Sequence, residues 1–526
     1  MFNIIFLFVI LAAPWAFSAE YRAGSILVKR KETGSVRAMS DIHIQAKTFR
    51  VRRFEHPRGL ELVQVNLGQT MEKALAAYRN DPSIEYAEPN YIVHAVGTPN
   101  DPYFQHQWGL NNEGQTGGIY DTDINVVSAW DRFKGSASVV LGVIDTGVDY
   151  THPDLKNNIW TNSLEIPGNG IDDDHNGYID DVHGINALTG SGDPMDDNQH
   201  GTHVAGIMAA EGNNGIGISG VVQKAKIVSC KFLDAEGSGD TAGAITCMNY
   251  FAALAKRSRD PVRMCATNNS WGGGLESQAF VDAVRAHQKL GILFVVAASN
   301  ESNDNDENPS FPSNISLSNV ISVAAVDHKG RLASFSNYGK HSVMVAAPGV
   351  DILSTTPDSS YEYLSGTSMA SPFVAGLAGF IKGAHPDMDW VSLKNLILAG
   401  GKPVLGAINT TATGRLIRAI GPHGTGSISC HDQVVQARLL PLGNAHTMVL
   451  GDSLKLSLLK IRCAESTQAR LSMDLVNISG NLLNDLGKEK DDVAYDGVFN
   501  GAFTPKARGF YVLAFPNGDP VHVTVR

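Results

Sequence analysis

Cysteine is scarce in this chain, with 5 in 526 residues. A small scaffold stapled by disulfides is thereby excluded. No Cys-x-x-Cys or Cys-x-x-x-His spacing occurs, so the cysteines do not suggest zinc. Charge is sparse too, at 18%, and its sum of −11 argues against nucleic acid as the principal partner. Long apolar runs are missing. None reaches the ~18 residues that would read as a membrane span, which excludes a polytopic membrane protein. What the chain does have is ordinary apolar content, 43%, which excludes disorder as its dominant state. At roughly 100–200 residues per domain, the length allows about two to four domains.

The charge is unevenly spread. Residues 20–97 carry 12 Lys/Arg against 9 Asp/Glu, so the rest of the chain is strongly acidic. Residues 165–199 alone hold nine acids and no Lys or Arg. At the start, Ile4 to Ala13 form an apolar stretch closed by Pro14. Ala16-Phe17-Ser18 then offers small residues for cleavage after Ser18. Residues 1–18 are expected to be a signal peptide, although no Lys or Arg precedes the apolar stretch. The expected destination is secreted, extracellular or periplasmic, where disulfides are permitted. Cys430 and Cys463 fall late in the chain and could pair there, whereas Cys230, Cys247 and Cys265 lie centrally. The odd count leaves at least one thiol free.

Three stretches differ in pattern. Residues 19–97 read as a small α+β unit: strands at Ile26–Val28 and Leu60–Val65, and a helix over Met71–Arg79 with Thr70 as N-cap. From 98 to 420, apolar runs at Val139–Ile144, Ala225–Ser229, Ile292–Ala298 and Val320–Val326 alternate with helical stretches. Buried strands alternating with helices predict an α/β domain with a mostly parallel sheet. A glycine-rich break at 421–427 follows, and beyond it the apolar period falls to two: Leu454/Leu456/Leu458, Leu471/Met473/Leu475 and Val521/Val523/Val525. Residues 428–526 are therefore expected to form a small sandwich-like all-β domain. Within it, VAYDGVFNGAFTPKARGFYVLAF looks like a hairpin of an immunoglobulin-like module, and Asp491, Asp492 and Asp496 read as solvated turn acids.

Three segments of the α/β region carry chemistry. Val143-Ile144-Asp145-Thr146-Gly147 sets a carboxylate at the end of an apolar strand, where α/β sites form. His200-Gly201-Thr202-His203 sets a histidine just before a helix, and Gly366-Thr367-Ser368 sets a serine at the head of another. Each alone has an ordinary structural reading as a turn or a cap. Together, in the order Asp, His, Ser, they match one of the convergent nucleophilic triads.

Through the motifs VIDTGVDYTHPDL, HGTHVAG, NNSWGG and SGTSMASPFVAG, the chain resembles the subtilisin-like serine proteases over roughly residues 20–420. The resemblance implies Asp145, His200 and Ser368 as the triad, with His203 and Ser371 structural. It implies Asn300, closing Phe294–Asn300, as the side-chain oxyanion donor; here Ser299 stands where the family has Gly. It places Ser270, Trp271 and Gly272 on a wall of the primary specificity pocket, and Gly237, Ser238 and Gly239 on the edge that pairs with extended polypeptide substrate. Glu301, Asp304, Asp306 and Glu307 follow the oxyanion Asn closely and read as a solvated loop rather than a basic-substrate site.

Asp172, Asp174, Asn176, Tyr178 and Asp180 lie in the D-x-D-x-N-G-x-x-D arrangement of a calcium loop, with His183 where a full EF-hand has its twelfth-position acid. By resemblance, Asp154 and Asn214 mark a second structural Ca2+ site. Residues 19–97 resemble the inhibitory pro-segment of the family, most closely in DPSIEYAEPNYIVHA, so the chain's own pro-segment is an expected intramolecular inhibitor. The reading is an exported, calcium-stabilised, monomeric serine endopeptidase made as a zymogen. A non-catalytic binding protein on the same scaffold has no chemical need for all four catalytic groups.

Overall fold

The computed structural model describes residues 21–31, 39–91, 98–419, 434–462, 476–483, 485, 493, 494 and 496–526. Residues 1–18, the pro-segment tail beyond Tyr91, the break at 421–427, Cys430, Cys463, the 471–475 period and the Asp491–Asp492 pair lie outside them. The chain forms two compact units, Met1–Val96 and Gly97–Arg526.

In the first unit, a four-stranded antiparallel sheet runs in the order Thr48–Arg53, Leu60–Val65, Tyr21–Arg30, Ile84–Tyr91. Helices Met39–Ala46 and Met71–Arg79 share one core with it, where Ile26, Val28 and Val63 meet Ile42, Leu75 and Tyr78. Thr70 caps the second helix, its hydroxyl accepting the Lys73 N–H at 3.3 Å. That satisfies one of the donors a helix start leaves open. Glu61 is buried here, paired with His43 Nε2 at 2.8 Å, while His43 Nδ1 meets the Tyr78 hydroxyl at 2.7 Å.

The second unit is built on a nine-stranded sheet. Its order is Lys402–Pro403, Arg415–Leu416, Val345–Pro348, Val320–Val326, Leu293–Ala297, Met264–Asn269, Gly135–Asp145, Lys224–Lys231, Gly184–Asn186. Every pairing is parallel except the first. Val143 faces one core and Ile144 the other, as alternation along a doubly covered strand requires. Helices His200–Ala209, Thr367–Ala384 and Trp390–Gly400 contribute to the first core, and Thr241–Lys256 and Gln278–Lys289 to the second. The Gly135–Asp145 strand has a later strand hydrogen-bonded on each side, so the connections diverge at its carboxyl end. Such a crevice is where open α/β sheets place their sites.

Cys230 and Cys247 are disulfide-bonded, tying the Lys224–Lys231 strand to the Thr241–Lys256 helix, and Cys265 is free and buried. Beyond residue 433, two small three-stranded sheets form, one of Val434–Leu440, Leu454–Arg462 and Val498–Phe503, the other of Ala445–Met448, Pro520–Val525 and Gly509–Ala514. This corrects the expected hairpin. Val498–Phe503 and Gly509–Ala514 are consecutive, yet each pairs in a different sheet. The link between them, 504–508, contains Pro505 and lacks the two-residue turn that would fold one strand onto the next. The first of these sheets is not self-contained: Val435, Ala437, Leu459 and Ile461 complete a core with Leu393, Leu396 and Ile397.

Candidate active site

Asp145 ends its strand fully buried. Its Oδ1 accepts from His200 Nδ1 at 2.7 Å and from the Thr146 N–H at 2.8 Å. The buried Oδ2 has no donor among the described residues, so the carboxylate's charge is directed largely at the imidazole. His200 opens its helix behind Gln199, a non-glycine residue at φ 128°. The helix start must approach the Asp145 turn closely, and only glycine fits next: a Cβ on Gly201 would sit 2.0 Å from the Gly147 carbonyl.

Asp196 locks the two loops together. Its carboxylate accepts from the Thr146 hydroxyl at 2.8 Å and from the Thr202 N–H and hydroxyl at 2.9 and 2.6 Å. Burial pulls the His200 pKa down, but the charge and hydrogen bond of Asp145, with the charge of Asp196, outweigh it and hold the value above the ordinary 6.5.

Ser368 lies in the first turn of Thr367–Ala384, preceded by Gly366. Pro372, four residues on, has no N–H to give the Ser368 carbonyl. The Ser270 hydroxyl supplies it instead at 2.7 Å, and the Ser368 hydroxyl donates back to the Ser270 carbonyl at 3.1 Å. Asn300 is oriented by Thr367, whose N–H and hydroxyl both reach its Oδ1 at 2.9 Å. Among the described residues no group accepts from its Nδ2. A Cβ on Gly366 would lie 3.7 Å from Asn300 Nδ2 and 3.5 Å from the Ser368 N, so the missing side chain leaves open the space both donors face.

His203 is buried, with Nε2 on the Glu362 carbonyl at 3.0 Å, and Ser371 donates to Asn268 at 2.7 Å. A cleft of about 460 Å³ runs beside the site between Gly237–Thr241 and Trp271–Leu275. Gly237, Ser238, Gly239, Trp271 and Gly272 line it, whereas Ser270 is buried beneath. Trp271 is wedged between Phe232 and Phe280, with ring centroids 4.9 and 5.5 Å away. Gly237, at φ 78°, makes the turn in which Asp234 N donates to the Ser238 carbonyl at 2.8 Å.

The acidic loop closes on itself. Asp172 accepts from the Asn176 and Gly177 N–H groups at 3.0 and 2.9 Å, and Asp174 from the Asn176 N–H at 3.1 Å. Asn176 turns its amide to Asp181, and its Oδ1 accepts the Tyr178 N–H. The Asp180 carboxylate lies outside the three-acid group and accepts from Gly168 and Gly170 at 2.8 and 3.0 Å, while its N–H donates to Glu165 Oε2 at 3.2 Å. The third acid of the cluster is Glu165, which sequence reasoning missed. Glu165, Asp172 and Asp174 each bring one ligand oxygen within 4.8 Å of the others. A close, all-oxygen set of carboxylates fits a hard cation such as Ca2+. Asp154, at the other expected site, accepts from Asn214 Nδ2 at 2.8 Å, Ile218 N at 2.9 Å and the Tyr361 hydroxyl at 3.0 Å, and burial pushes its pKa up to about 6.

An α/β sheet with a paired acid and imidazole at its switch point, and a serine at a nearby helix head, is the framework of a serine hydrolase. The chain belongs to the subtilase family of serine proteases, whose profile matches residues 136–410. A fervidolysin N-terminal prodomain matches residues 12–90. It is similar to the thermophilic serine proteinase of Bacillus sp. (strain AK1), 40% identical over 59% of this chain and 66% of that protein. It is also similar to the extracellular protease of Xanthomonas campestris pv. campestris, 33% identical over 72% of this chain and 63% of that one. The chain thus spans about two thirds or less of these relatives' length. A solved protease structure from Pseudoalteromonas arctica is 29% identical with a TM-score of 0.50, covering 61% of this chain and 97% of that one.

Proposed function

We propose that the protein is an exported serine endopeptidase, made as a precursor, that hydrolyses peptide bonds through an acyl-enzyme. The 2.7 Å bond between buried Asp145 and His200 carries this reading. It fixes the tautomer in which Nδ1 bears the proton and the other ring nitrogen is free to act as base. Ser368 turns its hydroxyl from the Ser270 carbonyl to the imidazole and attacks the substrate carbonyl as His200 takes its proton. The developing oxyanion is received by the Ser368 N–H and Asn300 Nδ2. His200 then protonates the leaving amine, and a water deprotonated by His200 releases the acyl group.

The prodomain match over 12–90 supports residues 19–97 as an intramolecular inhibitor, and the subtilase match over 136–410 supports 98–420 as the catalytic domain. The Cys230–Cys247 disulfide and the relative named as extracellular support export through the signal at 1–18. The acids Glu165, Asp172 and Asp174 would hold Ca2+, which supplies charge neutralisation and not chemistry. The test is the Ser368→Ala precursor: it should cut no peptide and keep residues 19–97 attached, whereas the wild type should do the reverse. A wild type that retains the segment and cuts nothing contradicts the proposal.

A further inference from the structure

Resting on that peptidase reading, we infer that Ser299 sets the depth of the slot beside the oxyanion donors, so that the enzyme takes a small, uncharged side chain on the acyl side of the scissile bond. A substrate carbonyl held by the Ser368 N–H and Asn300 Nδ2 has its substituent pointing along the chain segments that carry those anchors. One wall is Ser270–Gly274, fastened to Ser368 by the reciprocal Ser270 hydrogen bonds. The other is Ala298–Asn300, fastened to Thr367, with Ser310 behind it, while the Phe311 carbonyl accepts the Gly273 N–H of the first wall at 3.0 Å.

These walls meet at one point. A Cβ on Gly272 would lie 2.7 Å from Ser299 Oγ, so the hydroxyl already rests against the glycine and nothing wide passes between them. Ser299 is held there from three sides. Its N–H donates to Thr367 Oγ1 at 3.1 Å, its carbonyl accepts the Asn337 N–H at 2.9 Å, and its hydroxyl pairs with Ser310 Oγ at 2.9 Å. The backbone stands at φ 86°, a conformation that favours glycine, and these bonds keep a side chain in it.

The slot floor is therefore hydroxylic and shallow. Three of the acids that follow Asn300 are engaged elsewhere. Glu301 accepts from Asn337 Nδ2 at 2.8 Å, Asp304 from the Asp306 N–H at 3.0 Å, and Asp306 from the Ser342 N–H at 2.9 Å. A cationic side chain finds no counter-charge from these groups, and an aromatic ring finds the walls in contact.

The experiment uses the full chain and a peptide series differing only at the acyl-side residue: Ala, Ser, Leu, Phe and Arg. Wild type should give kcat/KM for Ala and Ser at least ~10-fold above Phe and Arg, the scale on which pocket volume discriminates. Ser299→Gly should raise the Phe-to-Ala ratio by ~10-fold or more, and its backbone conformation suits glycine, so its melting temperature should not fall. Ser310→Ala, which frees the Ser299 hydroxyl to swing aside, should move the ratio the same way by less. A wild type that cuts Phe or Arg peptides as well as Ala, or an unchanged ratio in Ser299→Gly, overturns the inference and leaves the peptidase reading standing. If wild type cuts no peptide, and Ser368→Ala behaves identically, the peptidase reading falls and takes this inference with it.

Discussion

Thr367 holds Asn300 by two donors converging on one oxygen, the backbone N–H and the hydroxyl, both 2.9 Å from Oδ1. The residue beside the proposed nucleophile thereby orients the proposed oxyanion donor, so the two cannot drift apart independently. Replacing Asn300 with Ala should lower kcat by about 10²–10³-fold, the size of effect known for such a donor in subtilisin itself, with little change in KM. Thr367→Val keeps the shape and the N–H but loses the hydroxyl. It should cost about 10-fold in kcat. Steady-state kinetics in which KM alone moves would assign the oxyanion to other groups.

The pH profile follows from the His200 environment. In the proposed mechanism neutral His200 acts as the base, so kcat/KM should rise with pH through its ionisation, and the net upward shift puts that midpoint above 6.5. Asp196 stabilises the imidazolium. Asp196→Asn should therefore move the acid limb to lower pH, together with a fall in rate from the loosened Thr146 and Thr202 contacts. A limb that stays in place, measured with chemistry limiting, would remove the Asp196 charge from the account.

Calcium should act on stability. Without a cation, Glu165, Asp172 and Asp174 repel one another across less than 4.8 Å. A cation bound only by the folded state adds RT ln(1 + [L]/Kd), ~2.7 kcal/mol at a hundredfold excess over Kd. EDTA should lower the melting temperature of the wild type and calcium should restore it, with Glu165→Gln blunting both changes. A melting temperature that stays unchanged in EDTA, once the chelated protein is shown to hold no metal, would make this loop a hydrogen-bonded turn.

The sites legible in the sequence are those whose chemistry is local to a motif. Thr70 caps its helix because a side-chain oxygen three residues ahead of Lys73 needs no tertiary partner. Glu165 was not legible, because it reaches Asp172 and Asp174 only where the loop folds back; its Oε1 accepts the Asp173 and Asp174 N–H groups at 2.9 and 3.0 Å. Cysteine pairing is not legible in the sequence for a similar reason, since only the packing of a helix on a strand brings Cys247 to Cys230. The false hairpin has another cause. Alternation reports that Val498–Phe503 and Gly509–Ala514 are strands, but not which neighbour each will pair with.

The C-terminal strands should matter to the stability of the whole second unit, because Leu459 lies in the same core as Leu393 and Leu396. Leu459→Ala should cost about 2–5 kcal/mol and lower a single cooperative transition. Two separate transitions, with the peptidase transition unchanged, would mean that the sheet is an independent module. Cys247→Ala should cost about 3 kcal/mol, from the 17-residue separation the disulfide closes.

Ser368 is expected to be a nucleophile activated by His200. Labelling the matured protein with a fluorophosphonate, followed by peptide mapping, tests it most directly. One label per molecule should appear on Ser368, vanish in Ser368→Ala, and slow by orders of magnitude in His200→Ala. Label on another serine, or equal labelling in Ser368→Ala, would contradict the account.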